Sequence, residues 1–225
     1  MVESWYMGLR KIKLAKGEIY HVLNRGVDKR NIFLDQEDLE RFFKSMLAFN
    51  STELVGSLHE QTFKKENEKP ASLVNFVAYC LLPNHFHFLL EQVEDDGISK
   101  FMKRLQGGYS WYFNNKHKRS GSLFQGPFKS IHINSNEYLL HASAYVNLND
   151  QQKFSLGDQS LGDQVAKLVK SSWKEYIEPK GTAQIICPKK GIILEQFRSK
   201  TEYKEFALSS LEDIKNNKEK QKELE

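Results

Sequence analysis

Residues 77–91 read VAYCLLPNHFHFLLE and predict two apolar β-strands joined by a Pro-Asn turn. Side chains alternate between the two faces of a strand, so His85 and His87 share one face while Phe86 takes the other. Two neighbouring imidazoles on a rigid strand favour a divalent metal, since imidazole is a common metal ligand. The alternative is a pair of half-buried histidines that hydrogen-bond to neighbouring groups.

Hydrophobic spacing on both sides of this hairpin predicts an α+β fold. The predicted elements are a strand over 18–24, a helix capped by Asp35, strands over 73–82 and 85–91, a helix from Ile98, a strand over 122–133, and a helix begun by Asn134 and Glu137. The first six have the βαββαβ order of a ferredoxin-like fold, an antiparallel sheet of four strands with both helices on one face. The other face would be open, and we expect His85 and His87 to point to it.

The length of 225 residues fits one large domain with an appendage. We predict a main domain over residues 1–150, whose first 17 residues form an arm. A polar linker over 151–164 follows, and residues 165–225 form a small appendage with a charged tail. A surface loop is expected over 51–70, where the hydrophobic periodicity is lost.

The charge pattern indicates a polyanionic partner. Net charge is +4 and the isoelectric point is near 8.8, but residues 97–136 contain seven Lys or Arg and no Asp or Glu. A basic surface of this kind favours a nucleic-acid backbone, the alternative being an ordinary solvated face. The mean hydropathy of −0.58 predicts a cytoplasmic protein that does not enter membranes. Two cysteines provide neither a disulfide framework nor a four-cysteine zinc site.

The helix from Ile98 carries two tyrosines, Tyr109 and Tyr112, on its apolar stripe. Gly107 and Gly108 interrupt the stripe and predict a bend or the close approach of another group. A tyrosine beside a two-histidine metal site suits phosphodiester cleavage, because a metal on the phosphate assists a phenol whose pKa is normally near 10. Taken alone, a tyrosine on an apolar helix stripe is more often a core residue.

Several motifs resemble those of known DNA transposases. Residues 82–90, LPNHFHFLL, resemble the His-hydrophobic-His motif of single-tyrosine HUH transposases. Residues 108–114, GYSWYFN, and 121–126, GSLFQG, look like the tyrosine helix and following strand of REP-associated tyrosine transposases. Further support comes from YHVLNRG at 20–26, YVNLN at 145–149 and SSW at 171–173. The resemblance covers roughly residues 18–210.

This resemblance implies an enzyme that cuts and joins single-stranded or hairpin DNA, at short palindromic repeats, through a covalent phosphotyrosine. It implies Tyr109 as the nucleophile, with Tyr112 as the less favoured choice, and Mg²⁺ or Mn²⁺ bound by His85 and His87. The protein would act as a monomer or homodimer. The residues expected to contact DNA are Arg25, Lys29, Arg30, Lys103, Arg104, Lys116, Arg119 and Lys129.

Two positions depart from the family pattern. Related transposases carry a third metal ligand one turn beyond the nucleophile, where counting from Tyr109 gives Phe113, which cannot ligate. Asn114 is the nearest amide and is taken as the third ligand. Pro127 stands where relatives have arginine, in the Gln-Gly-Arg that precedes an aromatic residue and lysine.

Two other functions remain open from the sequence. A non-catalytic protein that binds single-stranded nucleic acid on its sheet, as a domesticated transposase would, needs no nucleophile. A metal-dependent hydrolase that uses water would tolerate Tyr109→Phe but not His85→Ala.

Overall fold

The computed structural model describes residues 13–53, 71–149, 168–178 and 186–223, with side chains up to residue 213. Its centre is a five-stranded antiparallel sheet. The strands are β1 (Ile19–Arg25), β2 (Val74–Leu82), β3 (His85–Gln92), β4 (Lys129–His132) and β5 (Lys170–Ser171). The helices are α1 (Gln36–Ala48), α2 (Gly97–Lys116), α3 (Asn136–Asn147), α4 (Trp173–Ile177), α5 (Gly191–Leu194) and α6 (Lys200–Glu223).

The strand order is β4-β1-β3-β2-β5, so the predicted hairpin forms the middle of the sheet. The first six elements confirm the ferredoxin-like βαββαβ order, and β5 adds a short edge strand beside β2. In the register, Leu23 of β1 and Cys80 of β2 lie on either side of His87. Directly paired residues of antiparallel strands share a face, so all three point the same way.

The two faces of the sheet are covered by different elements. Phe86 and Phe88 belong to an apolar cluster that includes buried residues of α1 and α2. Leu89, on the other face, belongs to a second cluster that includes residues of α3 and α6. The expectation of an open second face is therefore wrong, because α3 and the C-terminal helices pack on it. His85 and His87 are only 6% and 5% exposed.

Local sequence signals account for most helix starts. Asp35 caps α1, and its side chain accepts a hydrogen bond from the Asp38 amide, as predicted. The cap of α3 is Ser135, one residue later than expected, and it accepts from the Tyr138 amide. The interruption at Gly108 is a close approach, because the Phe49 ring would lie 2.9 Å from an added Cβ. The helix continues through it.

The predicted strand over 122–133 is mostly not a strand. Only Lys129–His132 pair with β1, while Phe124 makes an isolated bridge to Gly26. Gly126 interrupts the extended backbone, with φ of 76°. A left-handed residue ends strand geometry, which explains why apolar content overestimated the length of this strand.

The C-terminal part builds onto the sheet through β5, α4, α5 and α6. Helix α6 spans residues 200–223, and its backbone continues through the charged tail of the predicted appendage. The predicted linker, most of the arm and most of the 51–70 loop lie outside the described residues, and the domain division stays a prediction. None of the described helices combines the length and apolar character needed to cross a bilayer.

Candidate active site

Two histidines at the start of β3 form the centre of the site. The rings of His85 and His87 are 5.1 Å apart and nearly perpendicular. Alternation along β3 places both on the face covered by α3, and strand register places Arg25 directly across from His85 on that face. Lys129 pairs with Leu23, so this second cation shares the same face.

Hydrogen bonds orient both imidazoles. Nδ1 of His87 lies 2.8 Å from Nε2 of His21, and Nδ1 of His85 lies 2.5 Å from Oδ1 of Asn84. Burial lowers the pKa of His21 to about 4, so this ring is neutral at pH 7 and can accept a hydrogen bond. Partners of this kind are typical of metal-binding histidines, whose second ring nitrogen donates to a neighbour. A metal would then bind through Nε2 of His85 and His87.

A tyrosine of α3 lies against His87 and His21. The Tyr145 ring is 5.5 Å from that of His87 and 6.0 Å from that of His21, edge-on to both. Tyr145 is half-buried. Burial raises the pKa of its phenol, while a side-chain hydrogen bond with Asn149 and the charge of Arg25 oppose that increase. Asn149, four residues further on and just beyond the C-terminal end of α3, is 3% exposed.

Tyr109 lies on the other side of the sheet. It is fully buried among the apolar residues of α1 and α2, and its hydroxyl donates to the Ile32 carbonyl oxygen at 2.5 Å. Its ring packs 4.9 Å from that of Phe42. Burial, with the nearby Asp38 carboxylate, raises the pKa of Tyr109 well above its usual value. The structure corrects the expected pairing of this tyrosine with the histidines, because α2 packs its apolar stripe on the opposite face.

Asn114, the predicted third ligand, is also on α2. Its side chain donates to the Gly121 carbonyl oxygen and accepts from Arg119 at 2.8 Å. The structure does not bring it to His85 and His87, for the same reason as Tyr109. Tyr112, the less favoured nucleophile, belongs to α2 as well, with the Arg41 guanidinium 5.0 Å from its ring centre.

The family of the chain follows from its sequence. Residues 18–149 match the family model of IS200-like transposases. The chain belongs to this family. The matched range contains the histidine pair, Tyr145 and Asn149, and ends before β5 and helices α4–α6. The resemblance inferred from the motifs is thereby confirmed at the level of this transposase family.

A solved structure of a REP-associated tyrosine transposase bound to a REP hairpin is similar over 80% of this chain and 93% of that chain, with 15% identity and a TM-score of 0.48. No curated protein is significantly similar to the chain in sequence.

The predicted DNA-contacting cations of this IS200-like transposase differ in their surroundings. Arg104 donates to the carbonyl oxygens of Ser51 and Glu53, and Arg119 is bound to Asn114. Lys116 contacts three carboxylates, described below. The predicted cations that are exposed are Lys29, Arg30, Lys103 and Lys129.

A second group of potential metal ligands joins α1 to α2. Oxygens of Asp35 and Asp38 and a ring nitrogen of His117 lie within 4.8 Å of one another, so spacing alone would admit a cation. Lys116 already contacts Asp35, Glu37 and Asp38 at 2.7–3.0 Å. Although burial alone would lower it, these hydrogen bonds raise the pKa of Lys116, and the ammonium supplies the positive charge. We interpret this cluster as a link between helices.

Sequence reasoning missed Tyr145 and Asn149 as site residues, and it did not identify His21 as the partner of His87. A signal for the first two was present, because residues 145–149, YVNLN, resemble part of the family pattern and a spacing of four puts both side chains on one helix face. His21 pairs with Leu89, which shares a face with His87. That position required the strand register, which sequence did not provide.

Proposed function

We propose that this protein cuts and rejoins DNA through a covalent phosphotyrosine formed by Tyr145. The observation that carries the proposal is the contact between Tyr145 and His87, 5.5 Å between ring centres, on the face that also bears His85 and Arg25. Membership of the transposase family gives the chemistry its context. Tyr109 no longer fits the role, because the sheet separates it from the histidines.

The residues present fit a divalent metal, Mg²⁺ or Mn²⁺ by family resemblance. His85 and His87 have their Nδ1 atoms held by Asn84 and His21, which directs Nε2 to the ligand position. Counting one turn beyond Tyr145 leads to Asn149, where the family carries its third ligand. With Tyr145 as the nucleophile, the residue one turn further on can bind a metal, as the family pattern requires. The same count from Tyr109 gave a residue that cannot. When bound, the metal would polarise the scissile phosphate and stabilise its developing charge.

The phenol of Tyr145 is the reacting group. Its oxygen forms a bond to phosphorus while the bond from phosphorus to the leaving sugar oxygen breaks. The phenol loses its proton and the leaving oxygen gains one, so the exchange of one ester for another is balanced. Burial raises the pKa of the phenol, and the hydrogen bond with Asn149 opposes that increase, as expected when an amide N–H stabilises a phenolate. The phosphotyrosine ester retains the bond energy needed for rejoining.

Arg25 and Lys129 are the cations best placed to hold the DNA backbone beside this group. Both lie on the histidine face of the sheet, on β1 and β4. Lys29 and Arg30 follow directly after β1 and are exposed. Phosphate contacts of this type orient the strand without reading its sequence. We infer single-stranded or hairpin DNA as the substrate, with short palindromic repeats as the target that the resemblance implies.

The test is a matched pair of tyrosine variants. Labelled hairpin DNA from repeats flanking the gene is incubated with wild type, Tyr145→Phe or Tyr109→Phe in Mg²⁺ or Mn²⁺, and covalent complexes are resolved on a denaturing gel. We expect a covalent band for wild type and Tyr109→Phe, and none for Tyr145→Phe or with chelator. A band that survives in Tyr145→Phe but disappears in a folded Tyr109→Phe would return the role to Tyr109.

A non-catalytic DNA-binding role is the second candidate, favoured by Pro127. This exposed residue follows Gly126 in the turn before β4, where family members carry arginine. Proline cannot donate a hydrogen bond to phosphate. The same gel distinguishes the two functions, because a purely binding protein would shift hairpin DNA on a native gel and form no covalent band.

A further inference from the structure

A buried polar network contacts α3 on the helix face opposite Tyr145 and holds the helix in place. The hydroxyl of Tyr203, on α6, lies 3.1 Å from Oγ of Ser143 and accepts a hydrogen bond from Nδ2 of Asn147 at 2.9 Å. All three residues are 0% exposed. Burial raises the pKa of Tyr203 to about 12, so the phenol keeps its proton at pH 7.

The network continues from α3 to the sheet through Ser172. Its hydroxyl donates to Oδ1 of Asn147 at 2.5 Å, and its oxygen accepts from the Tyr79 amide of β2 at 2.9 Å. The Ser172 amide donates to the Tyr79 carbonyl oxygen at 2.9 Å. Asn147 therefore connects α3 to both α6 and the central sheet.

The position of this network along α3 relates it to Tyr145. Ser143 and Asn147 lie two residues before and two residues after Tyr145. A helix turns about 100° per residue, so both side chains lie on the face roughly opposite Tyr145. One face of α3 thus contacts His87, while the other is held by hydrogen bonds.

We propose that Tyr203 and Ser172 are positioning residues that hold the Tyr145 ring in its contact with His87. The proposal rests on the proposed function of Tyr145. Both residues lie beyond residues 18–149, the range matched by the transposase family model. The C-terminal segment would then be a part of the active enzyme that the family match does not include.

The physical basis is the sensitivity of reaction rate to geometry. A displacement of about 1 Å at a reacting group can lower a rate by about 100-fold. A buried hydrogen bond has a directional effect that apolar packing lacks. Its loss removes the Tyr203 acceptor from Nδ2 of Asn147, while the Ser143 hydroxyl keeps its bond to the Leu140 carbonyl oxygen. Without these bonds, the apolar contacts of α3 with α6 would remain, but small shifts of the helix would be less restricted.

The test compares Tyr203→Phe with a matched control, Tyr79→Phe. Tyr79 is also buried, at 2% exposed, and burial together with the nearby Glu175 carboxylate raises the pKa of its phenol. Its ring lies in the apolar cluster on the other sheet face, away from α3. Each variant removes one buried hydroxyl and keeps the aromatic ring. Stability, DNA affinity and single-turnover formation of the covalent complex are measured for both.

We expect Tyr203→Phe to form the covalent complex about tenfold or more slowly, a smaller effect than a full 1 Å displacement. Its DNA affinity should stay within about twofold of wild type. Tyr79→Phe should keep the wild-type rate, although both variants lower the melting temperature by roughly 2–4 °C. A wild-type rate in Tyr203→Phe, or equal rate losses in the two variants, would overturn the proposal.

A second readout does not depend on cleavage. Amide hydrogen exchange at residues 142–149 should be about tenfold faster in Tyr203→Phe and unchanged in Tyr79→Phe. If wild type forms no covalent complex, the proposed function fails. Faster exchange would then still support the anchoring of α3, whereas equal exchange would overturn it.

A double variant tests whether Tyr203 and Ser143 act through the same hydrogen bond. Ser143→Ala removes the other hydroxyl of the hydrogen bond between Tyr203 and Ser143. If the bond positions α3, adding Tyr203→Phe to Ser143→Ala should slow the reaction by less than the product of the separate effects. Strictly multiplicative effects would count against a shared role.

Discussion

The two faces of the central sheet carry tyrosines in opposite chemical settings. Tyr109 is enclosed by phenylalanines, and its hydroxyl donates a hydrogen bond to a backbone carbonyl oxygen. Tyr145 is half-buried, contacts two imidazoles and shares a hydrogen bond with an amide side chain. A phenol needs polar neighbours and access to substrate before it can act as a nucleophile. The difference teaches that the face on which a helix packs decides what its tyrosine can do.

The largest expected effect comes from removing either histidine of the polar face. His85→Ala or His87→Ala should lower metal-dependent cleavage by more than the roughly 10–100-fold typical of losing a hydrogen-bonding partner of a ligand. The loss is measured as the cleavage rate at increasing Mn²⁺ concentrations. Mn²⁺ binding is measured separately by EPR. His132→Ala is the control, because this exposed histidine pairs with Glu18. Unchanged Mn²⁺ dependence in both active-site variants would contradict the metal assignment.

An effect of intermediate size on Mn²⁺ activation is expected for one of two asparagines that lie on opposite sides of the sheet. Asn149→Ala should weaken Mn²⁺ activation by about 10-fold or more, because the variant removes a proposed ligand and a hydrogen bond to Tyr145. Asn114→Ala should leave Mn²⁺ activation unchanged, since this side chain bonds Arg119 and Gly121. The same Mn²⁺ titration checks both. Equal behaviour of the two variants would remove Asn149 from the ligand set.

The smallest effect concerns DNA binding by cations of the two faces. Lys129→Met should weaken single-stranded DNA binding and reduce the slope of log affinity against log salt by about 0.7. Lys116→Met should leave that slope unchanged, because Lys116 is paired with three carboxylates, although it should lower the melting temperature. Fluorescence anisotropy over a range of salt concentrations gives the slopes. A slope change in Lys116→Met alone would reverse the assignment of the two lysines.

Local pattern predicted the hairpin and α1 closely because both depend on neighbouring residues. Alternation in residues 85–90 correctly separated His85 and His87 from Phe86 and Phe88. The cap at Asp35 depends on one side chain and one nearby amide. The prediction of the strand before α3 was less accurate. The left-handed backbone at Gly126 interrupts a segment whose composition favours a strand.

The sequence by itself determined the family, the order of the ferredoxin-like elements and the shared face of the two histidines. These features follow from motif residues and from the periods of strands and helices, which are local properties. Only the tertiary structure decided which tyrosine meets the histidines. Tyr109 and Tyr145 both lie on helices with apolar stripes, and periodicity shows that a stripe is buried without showing against which face. That choice depends on contacts between distant segments, here α2 on one face and α3, held by α6, on the other.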